Sequence, residues 1–321
     1  MAAAATVLAD FSLRAEAAGT SDGVAYRTLG RTGEKVSCIG LGGGHAGRQA
    51  TEEESIRIIR SAIDGGINFL DHCWDYNDGQ SEVRMGKALL DGYRNKAFLM
   101  TKIDGHTKEA AAQQIDESLR RLQTDHLDLL QFHEVIRADD PDKIFGVGGS
   151  MEAVLAAKKA GKVRYIGFTG HKSPDFHLKM LDTAKRHHCR FDTVQMPLNL
   201  MDAHYESFEK KVLPVLVKEK IGVLGMKPIA AGHILKSNAA SAVECLRYAL
   251  SLPTSVVITG CSSMENLEQA LGVARNYKPS SQPEIAALLE KTAEVAKNGE
   301  YEGYKNTNRF DGTIKNPQWL G

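Results

Sequence analysis

The chain has 321 residues, with 40 basic and 40 acidic side chains and no formal net charge at pH 7. Because attraction to nucleic acid or anionic lipid needs a surplus of Lys and Arg on one surface, this balance argues against both partners and favours a small-molecule substrate. The sequence contains no run of about 18 apolar residues, so we expect no membrane-spanning helix.

The N-terminal residues 1–25 are expected to lie outside the folded domain, which covers residues 26–321. Residues 1–18 join an alanine-rich apolar run to small residues that resemble a signal-peptidase site, but they lack a basic start. They are the remainder of an export signal, which implies a periplasmic or exported protein, or a flexible extension, which implies a cytoplasmic one.

The five cysteines are far apart in the sequence and form no Cys-x-x-Cys pair. None of them has a His at a spacing typical of metal ligands. We therefore expect reduced, mostly buried thiols and no metal site. They are Cys38, Cys73, Cys189, Cys245 and Cys261.

Short apolar runs alternate with amphipathic stretches from Tyr26 onward, as in repeated βα units around a parallel sheet. Eight strands are predicted, at residues 36–41, 68–72, 98–102, 127–132, 165–168, 193–196, 222–226 and 256–259. Eight strands, each followed by a helix, predict an α/β fold of the (β/α)8 TIM barrel type. Alternation alone is also consistent with an open doubly wound sheet, but the chain length favours the barrel.

The predicted helices have recognisable starts. Thr51 and Glu54 have the spacing of a capping box, and Thr107 is a typical N-cap. Ser173 is followed by Pro174, which suits the first helical position. Further helices are predicted at residues 81–90, 150–160, 208–219, 239–251, 264–274 and 284–297, and the tail that follows is expected to cover the barrel mouth.

The active site of a parallel barrel lies at the carboxyl ends of its strands. The second predicted strand ends at Asp71, with Tyr76 five residues further on, and the next two end at Lys102 and His133. A neighbouring ammonium lowers the pKa of a phenol, while the Asp keeps the Lys in place and charged. Tyr76 would then donate a proton more easily, and His133 would orient a carbonyl group or share the proton.

Three segments resemble the aldo-keto reductase family: FLDHCWDYNDGQSEVRMGKAL (69–89), FLMTK (98–102) and LDLLQFH (127–133). The resemblance covers nearly all of residues 26–274. It implies an NAD(P)H-dependent oxidoreductase that reduces an aldehyde or ketone, sugar-derived carbonyls included, with hydride from the nicotinamide. In that family the matching positions form a catalytic tetrad. Tyr76 would then be the general acid, Lys102 and Asp71 would adjust the pKa of Tyr76, and His133 would position the substrate.

The resemblance extends to the cofactor site. RYIGFTGH (164–171) and TVQMPLN (193–199) are similar to the family's fifth and sixth strand segments, so Gln195 would hold the carboxamide, whereas Gly170 replaces an amide side chain. In VLGMKPIAAG (223–232), Met226 stands where an aromatic residue usually stacks on the nicotinamide. The last segment, 257–270, would bind phosphate through free backbone N–H groups. The implied cofactor residues are Gly43, Thr169, Gly170, Gln195, Met226, Lys227, Pro228, Ile229, Gly232, Gly260, Ser262, Ser263, Asn266 and Gln269.

The identity of the nicotinamide is less directly indicated. Asn266 stands where an Arg often pairs with the 2′-phosphate, but the resemblance still favours NADP, with NAD as the alternative. We expect His45, His72 and Trp74 to line the substrate pocket, and the protein to be a monomer or a weak homo-oligomer.

Two other functions are compatible with the same motifs. A tightly held nicotinamide could oxidise and re-reduce one substrate, as in an epimerase or lyase, and the changed positions Gly170, Met226 and Asn266 motivate this hypothesis. Alternatively, the barrel could sense the nicotinamide redox state as a regulatory subunit.

Overall fold

The structure, a computed structural model, describes residues 17–321 and begins with a three-stranded antiparallel sheet. β1 (Ala17–Ser21) pairs with β2 (Val24–Thr28), and β2 pairs with β3 (Lys35–Ser37). The turn contains Asp22 (φ 48°) and Gly23 (φ 81°), an Asp-Gly pair that suits a tight hairpin. The folded domain therefore starts before the predicted boundary at residue 26. Residues 1–16 lie outside the described residues, so an extension or signal remnant there stays a prediction.

Eight parallel strands close into a barrel, as predicted. They are β4 (Ile39–Gly42), β5 (Phe69–Asp71), β6 (Phe98–Ile103), β7 (Leu127–Phe132), β8 (Val163–Thr169), β9 (Thr193–Pro197), β10 (Gly222–Met226) and β11 (Val256–Gly260). Consecutive strands are neighbours, and β11 pairs with β4 to close the circle. The (β/α)8 prediction is confirmed, and the open doubly wound sheet is excluded.

The first predicted strand, residues 36–41, is in fact divided between two sheets. The chain changes sheets at Cys38, whose backbone N–H donates to Ala25 O (2.8 Å) while its carbonyl accepts from Val257 N (2.9 Å). Leu29 and Val36 belong to the same buried cluster as the inward-facing side chains of the barrel, and Leu29 packs against Gly222 at the start of β10. The N-terminal sheet thus closes the end of the barrel opposite the predicted site.

Helices surround the barrel and fall close to their predicted positions. They are α1 (Gly43–Ala46), α2 (Glu52–Asp64), α3 (Gln80–Ala88), α4 (Lys108–Leu122), α5 (Asp140–Phe145), α6 (Ser150–Lys159), α7 (Pro174–Arg186), α8 (Phe208–Lys211), α9 (Leu213–Lys218), α10 (His233–Lys236), α11 (Ala242–Ser251), α12 (Met264–Arg275), α13 (Gln282–Ala296) and α14 (Gly303–Asn306). The predicted helix 208–219 is divided into α8 and α9, because Pro214 has no N–H to continue the hydrogen-bond ladder.

The three predicted N-caps are present, but the reciprocal capping box is found at other helices than predicted. Thr51, Thr107 and Ser173 each accept a backbone N–H in the first turn of their helices. The reciprocal bond of a capping box is present instead at Ser241 and Ser281, where a Glu three residues later bonds back to the cap. No helix within residues 17–321 is long and apolar enough to cross a membrane.

The C-terminal tail crosses the barrel mouth, as predicted. Thr313 N donates to Glu134 Oε2 (3.0 Å) beyond the end of β7. Near the chain end, Trp319 O accepts from His106 N (2.7 Å) beyond β6. The Lys172 ammonium lies 3.0 Å from the Asp311 carboxylate. These contacts fix the tail on three different loops and make it one wall of the cleft below it.

Candidate active site

A cleft of about 910 Å³ opens at the carboxyl ends of the barrel strands, beneath the C-terminal tail. All four predicted catalytic side chains line it: Asp71, Tyr76, Lys102 and His133. They come from the ends of β5, β6 and β7 and from the loop after β5. Because these three strands are neighbours in the barrel, the fold brings the predicted residues together.

Lys102 is at the centre of the group and is almost fully buried. Its ammonium contacts the Asp71 carboxylate and donates to His72 O (2.7 Å) and Tyr76 Oη (3.2 Å). An ammonium has three N–H donors, so each has an acceptor. This arrangement holds Lys102 in one position and leaves the phenol oxygen of Tyr76 beside a fixed cation.

Gln195 completes the surroundings of Asp71 from the other side of the barrel. Its Nε2 donates to Asp71 Oδ2 (2.7 Å), so each carboxylate oxygen has a partner. The amide oxygen of Gln195 is buried without a hydrogen-bond partner among the described residues. Since buried polar atoms are normally paired, this oxygen is available to accept a hydrogen bond from a bound molecule.

Tyr76 stays a neutral phenol in this cleft. Burial and the neighbouring carboxylates, Asp71 first among them, raise the pKa of Tyr76 well above its ordinary value. The net shift of this pKa is therefore upward and not downward as predicted, because burial and the neighbouring negative charges dominate although the Lys102 ammonium lies 3.2 Å from the phenol oxygen. The hydroxyl keeps its proton and can donate it.

His133 lies between two carboxylates. Its Nδ1 is hydrogen-bonded to Asp104 Oδ1 (2.6 Å), its Nε2 is 3.8 Å from Glu134 Oε1, and its ring meets the edge of the Tyr76 ring. Burial alone would lower the pKa of His133, but Glu134 and Asp104 outweigh it and raise the pKa to about 9. The ring is thus an imidazolium near neutral pH.

Glu134 connects this group to the tail. Its carboxylate is 3.3 Å from His171 Nε2 and accepts the backbone N–H of Thr313. Although burial acts in the opposite direction, His133 and His171 lower the pKa of Glu134, so it is ionised. Asp104, Glu134 and His171 were not predicted as site residues, although each stands just beyond a strand end, where polar residues face the active site of a parallel barrel.

Most predicted cofactor residues line the other half of the cleft, along β8–β11 and the loops that follow. They are Thr169, Gln195, Met226, Lys227, Pro228, Ile229, Gly232, Gly260, Ser262, Asn266 and Gln269. Met226 Sδ is 3.9 Å from Thr169 Oγ1, which places these two side chains together in the wall. His45, expected in the substrate pocket, lies on this side with its ring against Gly260.

Three further predicted cofactor positions do not line the cleft. A Cβ on Gly43 would lie 2.2 Å from the His72 ring, and one on Gly170 would lie 2.3 Å from Val135 O. Both glycines are therefore accounted for by tight packing. The hydroxyl of Ser263 caps α12 by accepting from Asn266 N (3.3 Å).

Two predicted pocket residues also lie elsewhere. His72 is completely buried against Gly43, and Trp74 donates to Glu117 Oε2 (2.8 Å) outside the cleft. The physical reason is the alternation of side chains along β5. Phe69 and Asp71 point into the barrel, and Leu70 and His72 point away from its interior.

Several residues of the cleft had no sequence signal. Arg48 follows α1, and its neighbour Gln49 donates to Ser262 O (3.2 Å), which holds this segment beside the end of β11. Asp75 lies in the loop after β5. The tail contributes Arg309, Phe310, Asp311, Gly312 and Lys315.

One group within residues 17–321 has the side chains and spacing of a metal site. The ligand atoms of Cys73, Asp75, Asp104 and His133 all lie within 4.8 Å of one another. The expectation of no metal site depended on spacing along the chain, and it did not anticipate this group because its members come from three different strand ends.

Comparison with known proteins agrees with this architecture. The profile of the Aldo/keto reductase family matches residues 38–244. L-galactose dehydrogenase of Arabidopsis thaliana is 28% identical over 313 residues, with 83% of this chain and 95% of that protein covered. Aldo-keto reductase YhdN of Bacillus subtilis is 33% identical over 214 residues, 62% of this chain and 60% of that protein.

A solved structure has the same fold. The aldo-keto reductase AKR11C1 from Bacillus halodurans, in its holo form, superposes with a TM-score of 0.71 at 23% identity, covering 85% of this chain and 99% of that one. The family match covers more than half of the chain, and the barrel closes as in this relative. The chain therefore belongs to the aldo-keto reductase family and is an NAD(P)-dependent oxidoreductase.

Proposed function

We propose that this protein reduces the carbonyl group of an aldehyde or ketone to an alcohol, with Tyr76 as the proton donor. The observation that carries the proposal is the fixed Lys102 ammonium, 3.2 Å from the Tyr76 hydroxyl at the base of an open cleft. A protonated phenol beside a cation can donate its proton as negative charge develops on a carbonyl oxygen, because the ammonium stabilises the phenolate that remains.

The residues present are suited to a nicotinamide. The partnerless Gln195 oxygen can accept from a carboxamide N–H, and Lys227 lies in the same wall, where its charge favours a pyrophosphate. When bound, the reduced nicotinamide supplies the hydride that the carbonyl carbon receives. The chain's own contribution is to hold the carbonyl oxygen within reach of Tyr76.

His133 provides the second donor for that oxygen in this proposal. The carboxylate of Asp104 fixes Nδ1, which orients the ring, and Nε2 remains on the side of Glu134 and the cleft. A cationic N–H and a phenol O–H directed at one oxygen stabilise negative charge there before any proton moves.

The proposal is tested with Tyr76→Phe, which removes the donor and keeps the ring. We expect kcat/KM to fall about 10²–10⁴-fold, the usual contribution of a general acid. Tyr93→Phe is the matched control, because the Tyr93 hydroxyl bonds to Asp64 outside the cleft. NADPH binding, followed by fluorescence, should be retained in both variants. Unchanged turnover in Tyr76→Phe would refute the assignment.

We further propose NADP rather than NAD as the cofactor, with Arg48 in place of the cation that Asn266 cannot provide. Arg48 lines the cleft together with Ser262 and Asn266, and within residues 17–321 its Nε donates to Gly44 O. A charge-assisted bond to a 2′-phosphate contributes about 1.5–3 kcal/mol, or roughly 10- to 100-fold in affinity. Arg48→Ala should weaken NADPH by that factor and leave NADH unchanged, and equal losses for the two would contradict this role.

We propose a polyhydroxylated, sugar-derived carbonyl compound as the substrate. On the tail side the cleft is lined by Asp75, Glu134, His171 and Asp311, next to the Phe310 ring. Carboxylates and imidazoles can form hydrogen bonds with several hydroxyl groups, whereas an unbranched alkyl aldehyde offers them no hydroxyl group to bond. A panel that pairs aldoses with alkyl aldehydes of equal length should show higher kcat/KM for the aldoses. The opposite order would exclude a sugar substrate.

A further inference from the structure

Three atoms at the His133 end of the tetrad, from Cys73, Asp104 and His133 itself, are spaced as ligands of one ion. Cys73 Sγ is 3.2 Å from His133 Nδ1, His133 Nδ1 is 2.6 Å from Asp104 Oδ1, and Cys73 Sγ is 4.0 Å from Asp104 Oδ1. The three atoms define a circle of radius about 2.0 Å, close to the bond lengths of zinc to nitrogen, oxygen and sulfur. An ion slightly out of their plane would be within bonding distance of all three.

A fourth ligand is available, and one buried oxygen in the group is unused. Asp75 has a carboxylate oxygen within 4.8 Å of the other ligand atoms. Asp104 is completely buried, and its Oδ2 has no hydrogen-bond partner among residues 17–321. A partnerless carboxylate oxygen at this depth is costly unless a cation or another donor reaches it. The four residues supply the number of ligands that zinc takes in proteins.

The charge around these atoms also favours a cation. Asp75 and Asp104 contribute two carboxylates, and Glu134 lies 3.8 Å from the other ring nitrogen of His133. The His133 ring lies between these carboxylates, with Nδ1 2.6 Å from Asp104 and Nε2 3.8 Å from Glu134. A divalent ion would replace protons on ligand atoms that are already directed at one another.

We propose that Cys73, Asp104 and His133, with Asp75 as the fourth ligand, bind a Zn²⁺ ion. The combination of thiolate, imidazole and carboxylate favours zinc over Mg²⁺ or Ca²⁺, which prefer all-oxygen sites. Binding displaces the thiol proton of Cys73 and the Nδ1 proton of His133 to solvent, and no group is oxidised or reduced. The site would be inhibitory, because the ion replaces the hydrogen bond between His133 Nδ1 and Asp104 Oδ1 that orients the ring beside Tyr76.

Binding is tested with Co²⁺, which replaces zinc and gives a sulfur-to-cobalt charge-transfer band in the near ultraviolet when a thiolate is a ligand. Titration of the full-length protein should produce this band with one Co²⁺ per chain, and Zn²⁺ should abolish it. Cys73→Ser should lose the band, whereas Cys189→Ser, which changes a half-buried thiol outside the group, should keep it. Asp104→Asn should weaken Co²⁺ by at least about tenfold, the loss seen even when a residue behind a metal ligand is changed.

The proposal is overturned if the wild-type protein gives no charge-transfer band, or if the band persists in Cys73→Ser. Zn²⁺ binding does not depend on the proposed reductase function, but inhibition does. In an active preparation, Zn²⁺ should lower turnover of the wild-type protein and of Cys189→Ser, and have at least tenfold less effect on Cys73→Ser. A preparation that binds Co²⁺ and reduces no carbonyl compound would refute the proposed function and leave the metal site standing.

Discussion

The buried ion pair of Lys102 and Asp71 makes the strongest quantitative prediction. The two side chains are 1% and 4% exposed. Asp71→Asn keeps the shape of the side chain but removes the carboxylate with which the Lys102 ammonium pairs within residues 17–321. Removing one member of a buried pair typically costs about 3–5 kcal/mol, because the remaining charge is uncompensated. We therefore expect the free energy of unfolding of Asp71→Asn to fall by about that amount.

A double variant separates this stability effect from catalysis. In Asp71→Asn with Lys102→Met no buried charge is left unpaired, and the remaining cost is an unsatisfied amide of about 1–3 kcal/mol. The double variant should be more stable than Asp71→Asn by roughly 2 kcal/mol, taken from the difference of those ranges. Both should be inactive, because each has lost the arrangement that fixes Tyr76.

The measurement is urea unfolding of the three proteins, followed by fluorescence and by circular dichroism to check two-state behaviour. The reasoning fails if Asp71→Asn unfolds at the same urea concentration as the wild-type protein. It also fails if the double variant is less stable than Asp71→Asn, since the uncompensated charge would then not be the cause.

Three further predictions test the surroundings of the site. Burial lowers the pKa of His72 from 6.5 to about 3, so the unfolded chain binds this proton at a higher pH than the folded protein does. Stability that is present above pH 6.5 is therefore lost as the pH falls toward 3. His72→Phe should reduce the slope of the unfolding free energy against pH by up to about 1.4 kcal/mol per pH unit in that window, and an unchanged slope would contradict this expectation. Gly43→Ala places a Cβ 2.2 Å from the buried His72 ring and should cost about 1–3 kcal/mol in chemical unfolding. Gly272→Ala in α12 is the control, because a Cβ at that position would meet nothing within 4 Å among the described residues, and it should stabilise the protein by about 0.5–1 kcal/mol. Gln195→Leu should raise the Kd of NADPH, measured by fluorescence titration, about tenfold, or 1.4 kcal/mol; unchanged affinity would remove Gln195 from the cofactor site.

Much of the architecture followed from local patterns in the sequence. Strand and helix periods depend on which side chains can be buried together in one short segment, so eight βα units could be counted without knowing their arrangement. The tetrad followed as well, because a parallel barrel collects the carboxyl ends of its strands at one end. The change of sheet at Cys38 was not visible, because the run 36–41 is continuously apolar or small.

The errors around β5 were errors of side-chain direction. Asp71 and His72 are adjacent in the sequence, yet one faces the cleft and the other packs against Gly43. A strict period of two, counted from the inward-facing Phe69, assigns both correctly. The sequence was therefore sufficient to predict the directions of these two side chains, provided that the alternation of the strand was continued to His72, one residue beyond its end.

The sequence alone determined the barrel, the family and the four side chains at the strand ends, because each depends on a short continuous segment. Only the tertiary structure decided the state of those side chains. The pKa of Tyr76 is raised rather than lowered, because the phenol is buried and lies near carboxylates from separate loops. The pKa of His133 is raised to about 9, because Glu134 and Asp104 outweigh its burial. Glu134 is in turn fixed by Thr313, 179 residues further along the chain. Such electrostatic effects depend on distances between segments that no local pattern specifies.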